Sequence, residues 1–256
     1  IARLRHLTTQ ILVLGLSATV KNAEEIAAWL GAELLKSDWR PVPLREGVYY
    51  DGEILFSDSK VEKIEEGEKA PPLALALDVV KTKGQGLIFV NTRAGAERTA
   101  LDLAPSINRL LGRAEEEALA ALAEEVAASL AEPTRVVKRL GDCVRRGTAF
   151  HHAGLTASQR RLVEQGFKNN LIKILAATPT LAAGVNLPAR RVVIREHTRY
   201  EAELGKVEIS VLEYKQMCGR AGRPKYDSEG EAVLIAKSPE ERTYLLDNYV
   251  LGEPER

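Results

Sequence analysis

The chain has 256 residues, 45% hydrophobic and 28% charged, enough to bury the core of one large α/β domain or of one domain with attachments. Lysine and arginine together number 36 and so do aspartate and glutamate, so no global field announces nucleic acid, and any such contact must rest on local patches. Two cysteines far apart, Cys143 and Cys218, exclude a disulfide framework and a thiolate zinc site, and no apolar run reaches transmembrane length.

In chain order, the run 11–16 predicts a strand, and Asn22 with Glu25 opens a helix through Ile26, Trp29 and Leu30 that Gly31 stops. Arg40-Pro41-Val42-Pro43 reads as a linker, dividing the chain into 1–40 and 41–256, and the polar stretch 57–69 reads as a surface turn region. Apolar runs at 86–90, 172–177, 191–194 and 232–236 suit strands buried on both faces of a parallel sheet. Helices lie between them. Leu119, Leu122, Val126 and Leu130 form a stripe behind an acidic start, and Thr156 with Gln159 makes a capping box before Leu162, Val163 and Phe167. Strand alternating with helix predicts a doubly wound α/β layer, with ligand sites at the carboxyl ends of its strands. The basic groups at 135–139, 145–146, 160–161 and 190–191 read as solvated faces. Within 193–211, Val207, Ile209 and Val211 alternate with Glu208 and Ser210 behind the turn Leu204-Gly205-Lys206, which predicts an inserted β-hairpin.

Just past the predicted strands come Ser17-Ala18-Thr19, Asn91-Thr92-Arg93, His151-His152-Ala153-Gly154, and the segment 177–188 with Thr178, Thr180, Gly184 and Asn186. Each sets hydroxyl, amide or basic groups where they reach phosphate oxygens. Singly, a threonine there is most often a helix cap and a histidine pair satisfies local hydrogen bonds. Further on, Gln216-Met217-Cys218-Gly219-Arg220-Ala221-Gly222-Arg223 puts two guanidinium groups three residues apart, each after a glycine. On a helix, 216, 220 and 223 share one face, so both charges meet the same object. The arginine fork can hold phosphoryl oxygens and stabilise charge spreading over them during transfer, and the glycines remove side chains that would hold a ligand off. A helix end with solvated arginines reads equally well from this stretch alone, because Pro224 follows.

Taken together and in this order, these elements resemble the superfamily-two helicases, and within them the archaeal Ski/Hjm type of DNA repair helicase. Ser17-Ala18-Thr19 is similar to the third helicase motif, which couples nucleotide state to strand movement, and the segment 89–93 to the fourth. The element around His151 and His152 follows, the segment 177–188 resembles motif five, and the segment 216–223 resembles motif six. The resemblance implies a RecA-like parallel sheet flanked by helices. It implies that Asn91, Thr92, Arg93, His152, Thr178 and Thr180 lie along the phosphates of the translocating strand. It further implies that Gly184, Asn186, Gln216, Arg220 and Arg223 border ATP, with Gln216 and the two arginines catalytic. In such helicases the hairpin here parts the duplex. His197, Arg199 and Tyr200 are then the groups available to stack on bases, although an ordinary surface hairpin competes with this reading.

A complete ATPase needs a Gly-rich phosphate loop with its lysine and a carboxylate pair for Mg²⁺. Here Gly205-Lys206 runs on into Val207, position 200 is Tyr200 where a first glycine belongs, and no Asp-Glu pair occurs. The resemblance therefore covers the tail of a first RecA-like domain (1–40) and the second RecA-like domain (41–256), a half that is inactive alone. ATP and Mg²⁺ are the implied cofactors, with Mg²⁺ held by the other half. The implied partners are single-stranded and forked DNA, the first RecA-like domain and a winged-helix domain, in an intracellular, nucleoid-associated setting and with no membrane. An RNA helicase of the same superfamily, or a non-catalytic binding module of RecA-like fold, are the alternatives.

Overall fold

A computed structural model describes residues 14–16, 22–37, 39–65, 67, 69–130, 132, 134–181, 185–201 and 204–254. Ser17, Ala18, Thr19 and Gly184 lie outside the described residues, as does the first half of the predicted strand 11–16, and residues 14–16 are not in a strand. Helix α1 (Ala23–Leu30) follows Asn22 and ends at Gly31 in the left-handed region at φ 56°, as the stop signal predicts, but it buries none of its residues.

Past residue 43, β1 (Leu44–Tyr50), β2 (Glu53–Phe56) and β3 (Val61–Lys63) form an antiparallel flank, followed by α2 (Pro71–Lys81) and β4 (Gly86–Phe89). Then come α3 (Arg93–Asn108), α4 (Arg113–Ala127), α5 (Arg135–Arg145), β5 (Thr148–His151), α6 (Ala157–Lys168) and β6 (Ile174–Ala177). The chain continues through β7 (Arg191–Ile194), the two-stranded hairpin β8 (Thr198–Glu201) and β9 (Gly205–Glu208), α7 (Val211–Cys218), β10 (Gly230–Ile235) and α8 (Pro239–Leu245). The main sheet runs β3-β2-β1-β10-β7-β4-β6-β5 and is parallel from β1 to β5. Strands β4, β5, β6, β7 and β10 are buried along their whole length, which is why 86–90, 174–177, 191–194 and 232–235 read as apolar runs apart from Arg191.

Thr156 accepts from the Gln159 N–H at 3.3 Å while the Gln159 side chain accepts from the Thr156 N–H at 3.0 Å, the predicted capping box. Leu119, Leu122 and Val126 are buried, so the stripe on α4 is core packing. The sequence reading missed β1 and β2, and β3 lies inside the stretch expected to be only a turn. β1 is masked because its polar positions are partnered rather than solvated. Arg45 lies 3.6 Å over the Phe56 ring and pairs with Glu229 at 3.1 Å, and Glu46 pairs with Lys215 at 3.0 Å. Arg191 is likewise not a solvated face. It is buried in β7, 2.6 Å from Glu231 on β10 and 2.7 Å from Asp78 on α2. Burial works against its charge, and the two carboxylates outweigh that and raise its pKa.

The chain leaves β6 on one side of β4 and re-enters the sheet as β7 on the other. The loops after β4 and β6 therefore stand side by side at the carboxyl edge, where open parallel sheets place ligands.

Candidate functional site

A cleft of about 600 Å³ opens at that edge, lined by Asn91, Arg93, Ala153, Thr178, Pro179, Thr180, Arg199, Ser210, Leu212, Glu213 and Gln216. β4 delivers Asn91, whose Nδ2 donates to the Thr198 carbonyl and, at 3.3 Å, to Glu196. Thr92 caps α3 by accepting from the Gly95 N–H at 2.9 Å, which fixes the exposed Arg93 in the first turn. β6 delivers Thr178, whose hydroxyl lies 3.0 Å from that of Thr180. Hydroxyls, an amide and guanidinium groups around one open cleft make a donor-rich lining suited to phosphate oxygens.

Both histidines turn inward, which for His152 departs from its expected place along the strand phosphates. His151 Nε2 lies 3.0 Å from Glu164 Oε1. His152 is 3% exposed, stacks on Phe150 at 5.4 Å and accepts at Nδ1 from the Gly154 N–H at 3.1 Å. Its Nε2 faces Glu97 Oε1 at 3.5 Å, and the other oxygen of Glu97 pairs with Arg139 at 2.8 Å. Burial lowers the pKa of both rings more than the neighbouring carboxylates raise it. His152 thus braces the loop beside the cleft and leaves the lining to Asn91, Arg93, Thr178 and Thr180.

The predicted hairpin is present, with Gly205 at φ 75° opening β9. Of its three expected stacking groups, Tyr200 alone stands out, at 81% exposed. The His197 ring is packed at the hairpin base beside Tyr244 and Tyr249, with centroids 6.3 and 6.0 Å away. Arg199 turns into the cleft, bonded to Glu201 at 2.9 Å and Glu213 at 2.5 Å.

Helix α7 stops at Cys218, so 216, 220 and 223 do not share a helical face. Gln216 lines the cleft with Asn91, Arg93, Thr178 and Thr180 rather than standing in one row with both arginines. Beyond the helix, Arg220 and Gly222 bridge to Ala189: the Arg220 carbonyl accepts from the Ala189 N–H at 2.9 Å, and the Gly222 N–H donates to the Ala189 carbonyl at 2.7 Å. Gly222 has φ 90°, and a Cβ there would fall 2.6 Å from Val42 Cγ1. Its role is therefore to turn the chain against a close neighbour, while Gly219 keeps an ordinary helical φ of −57°.

The turn sends the two arginines to different surroundings. Arg220 Nη1 donates to Asn186 Oδ1 at 3.4 Å, and partial burial lowers its pKa. Arg223 instead donates through Nε and Nη2 to the two oxygens of Asp227, at 2.9 and 2.8 Å, and through Nη1 to Gln85 Oε1 at 2.8 Å and Asn170 Oδ1 at 3.3 Å. Gln85 and Asn170 precede β4 and β6, so Arg223 points to the opposite edge of the sheet from the cleft. Sequence reading missed Asp227, Gln85 and Glu213. Only the four-residue spacing of Arg223 and Asp227 offered a signal.

Residues 126–225 match the family described as helicase conserved C-terminal domain. Over its whole length the chain is similar to part of three archaeal proteins, each named ATP-dependent DNA helicase Hel308. It is 50% identical to that of Pyrobaculum calidifontis, of which it covers 36%. It is 46% identical to that of Methanocella arvoryzae and 45% to that of Pyrococcus horikoshii, covering 34% of each. The chain therefore spans about a third of the length of the curated relatives it matches. Over its whole length the chain is thus similar to a segment of archaeal proteins named ATP-dependent DNA helicase Hel308, and its helicase C-terminal match falls within a mostly parallel α/β sheet flanked by helices.

Proposed function

We propose that this chain is the second motor lobe of an ATP-dependent DNA helicase that tracks along single-stranded DNA and opens forked duplexes in repair, inside the cell at the nucleoid. The observation that carries the reading is a division of one helix between two ends. The amino end of α7 and Gln216 line the donor-rich cleft, and its carboxyl end leads to Arg220 beside Asn186. Asn91, Arg93, Thr178 and Thr180 hold the backbone of the strand. Such contacts are independent of sequence and sensitive to salt.

The residues present fit the phosphate end of ATP. A partly dehydrated guanidinium next to an amide is a phosphate-binding donor set. A nucleotide's Mg²⁺ is held by a phosphate loop and a carboxylate pair, neither of which occurs in this sequence, so Mg²⁺ and the triphosphate floor are assigned to a first RecA-like lobe. Residues 1–40 belong to that lobe. In support, Trp29, Leu35 and Trp39 are exposed and α1 buries nothing, a surface suited to covering by a neighbour. When the lobes close, Arg220 reaches the terminal phosphate and stabilises charge developing there. Arg223 joins it only by giving up Asp227. Tyr200 is the wedge that meets the duplex, and a winged-helix domain is a further partner.

The test is the full-length protein on matched forked substrates. ATP-driven opening of DNA, with weaker opening of RNA, supports the reading. Preference for RNA replaces it with an RNA helicase, since the lining groups address phosphates and not the sugar. Strand binding without hydrolysis makes the fold a binding module.

A further inference from the structure

The hairpin is anchored at its base and again partway along one strand. At the base, the Ile209 N–H donates to the His197 carbonyl at 2.8 Å, the Tyr249 hydroxyl donates to the Ile209 carbonyl at 2.8 Å, and the Tyr244 hydroxyl reaches Glu208 at 2.7 Å. Partway along β8, Arg199 Nη1 crosses to Glu213 Oε2 on α7 at 2.5 Å. Glu213 is held in place by its own backbone, whose N–H donates to the Ser210 cap at 3.0 Å. From Glu213 the helix runs on to Cys218 and then into the turn that carries Arg220, seven residues after Glu213.

We propose that the Arg199–Glu213 pair is a positioning joint that ties the hairpin to α7, so that displacement of the Arg220 end of that helix on lobe closure moves the strand-separating hairpin. The inference rests on the helicase reading above. It follows from the geometry: the pair connects β8 to the first turn of the helix whose other end carries the nucleotide-facing arginine. A tie partway up the strand transmits rotation that the base contacts, lying near the pivot, do not. Arg199 also lines the cleft, so the competing role for it is a simple contact to a strand phosphate. That role needs no Glu213.

Coupling of this kind is measured as strand separation per ATP hydrolysed, on one forked DNA, in the full-length protein carrying Arg199→Gln, Glu213→Gln, or the exchanged pair Arg199→Glu with Glu213→Arg. The joint predicts that each single change lowers that ratio about tenfold and that the exchange restores it to within about threefold of the unaltered protein. A ratio unchanged in Glu213→Gln overturns the proposal. So does an exchanged pair no better than the single variants, which assigns Arg199 to the phosphate. If the exchanged pair folds poorly, Glu213→Asp supplies the second reading: a ratio between unaltered and Glu213→Gln supports the joint, and one equal to unaltered opposes it. Unaltered protein that hydrolyses ATP without opening the fork sinks the helicase reading itself. Unaltered protein and variants that open it equally well sink only the joint.

Discussion

Arg223 and Asp227 are joined by two parallel bonds of 2.9 and 2.8 Å, and Asp227 accepts a further bond of 2.8 Å from the backbone N–H of Arg223. The side chains are 11% and 4% exposed, so the pair acts as an internal clamp that sets the course of the loop after α7. The two arginines of one short motif thereby have different standing: Arg220 faces a neutral amide at a partly open position, and Arg223 is engaged by a carboxylate.

Because the clamp is buried, removing one charge strands the other. Asp227→Asn is expected to lower the unfolding free energy by about 3 kcal/mol, measured by chemical denaturation. A loss under about 1 kcal/mol would mean that the loop is held by its backbone bonds alone.

The glycines separate in the same way. Gly222→Ala forces an alanine to φ 90° and into Val42, and should cost about 2 kcal/mol or more. At Gly219 the φ is −57° and the nearest heavy atom, the Gln216 carbonyl oxygen, lies 3.2 Å from an added Cβ. Gly219→Ala should stay within about 1 kcal/mol. Equal costs in thermal melting would remove the backbone explanation for Gly222.

His151, His152 and His197 all have pKa values lowered by burial. The unfolded chain then binds protons that the folded one refuses, so stability rises with pH through this window and falls as pH drops below about 6.5. Each ring contributes at most about 1.4 kcal/mol per pH unit there. Urea melts from pH 7.5 to 5.5 should show the decline, and His152→Gln should flatten it. A stability independent of pH across that range would mean that the rings charge freely in the fold.

Strand binding should report Arg93 through salt. If Arg93 neutralises one phosphate, Arg93→Ala lowers the slope of log affinity against log salt by about 0.7. The expected loss is similar for every single-stranded sequence. A weakened affinity with the slope intact would place Arg93 off the backbone.

The inner strands were legible because burial on both faces leaves only apolar residues at 86–90, 174–177, 191–194 and 232–235, apart from Arg191, whose charge is neutralised across the sheet. β1 was hidden because Arg45 and Glu46 find partners far along the chain, which a local reading of polarity counts as solvent exposure. At the site, Asn91, Arg93, Thr178 and Thr180 were legible from their places just beyond strands, where the topology gathers them. His152 has the same address and a buried ring, since direction depends on the Phe150 and Glu97 contacts and not on position in the chain. The end of α7 was misread because the spacing of Gln216, Arg220 and Arg223 fits a helix, whereas the chain turns at Gly222.

The central claim is that this lobe supplies a guanidinium to a nucleotide whose floor another lobe provides. Its most direct measurement is steady-state ATP hydrolysis by the full-length protein carrying Arg220→Ala at saturating single-stranded DNA, with strand affinity measured alongside. The account predicts turnover reduced by about a thousandfold or more with affinity for the strand within about threefold of the unaltered protein. Unchanged turnover would contradict it.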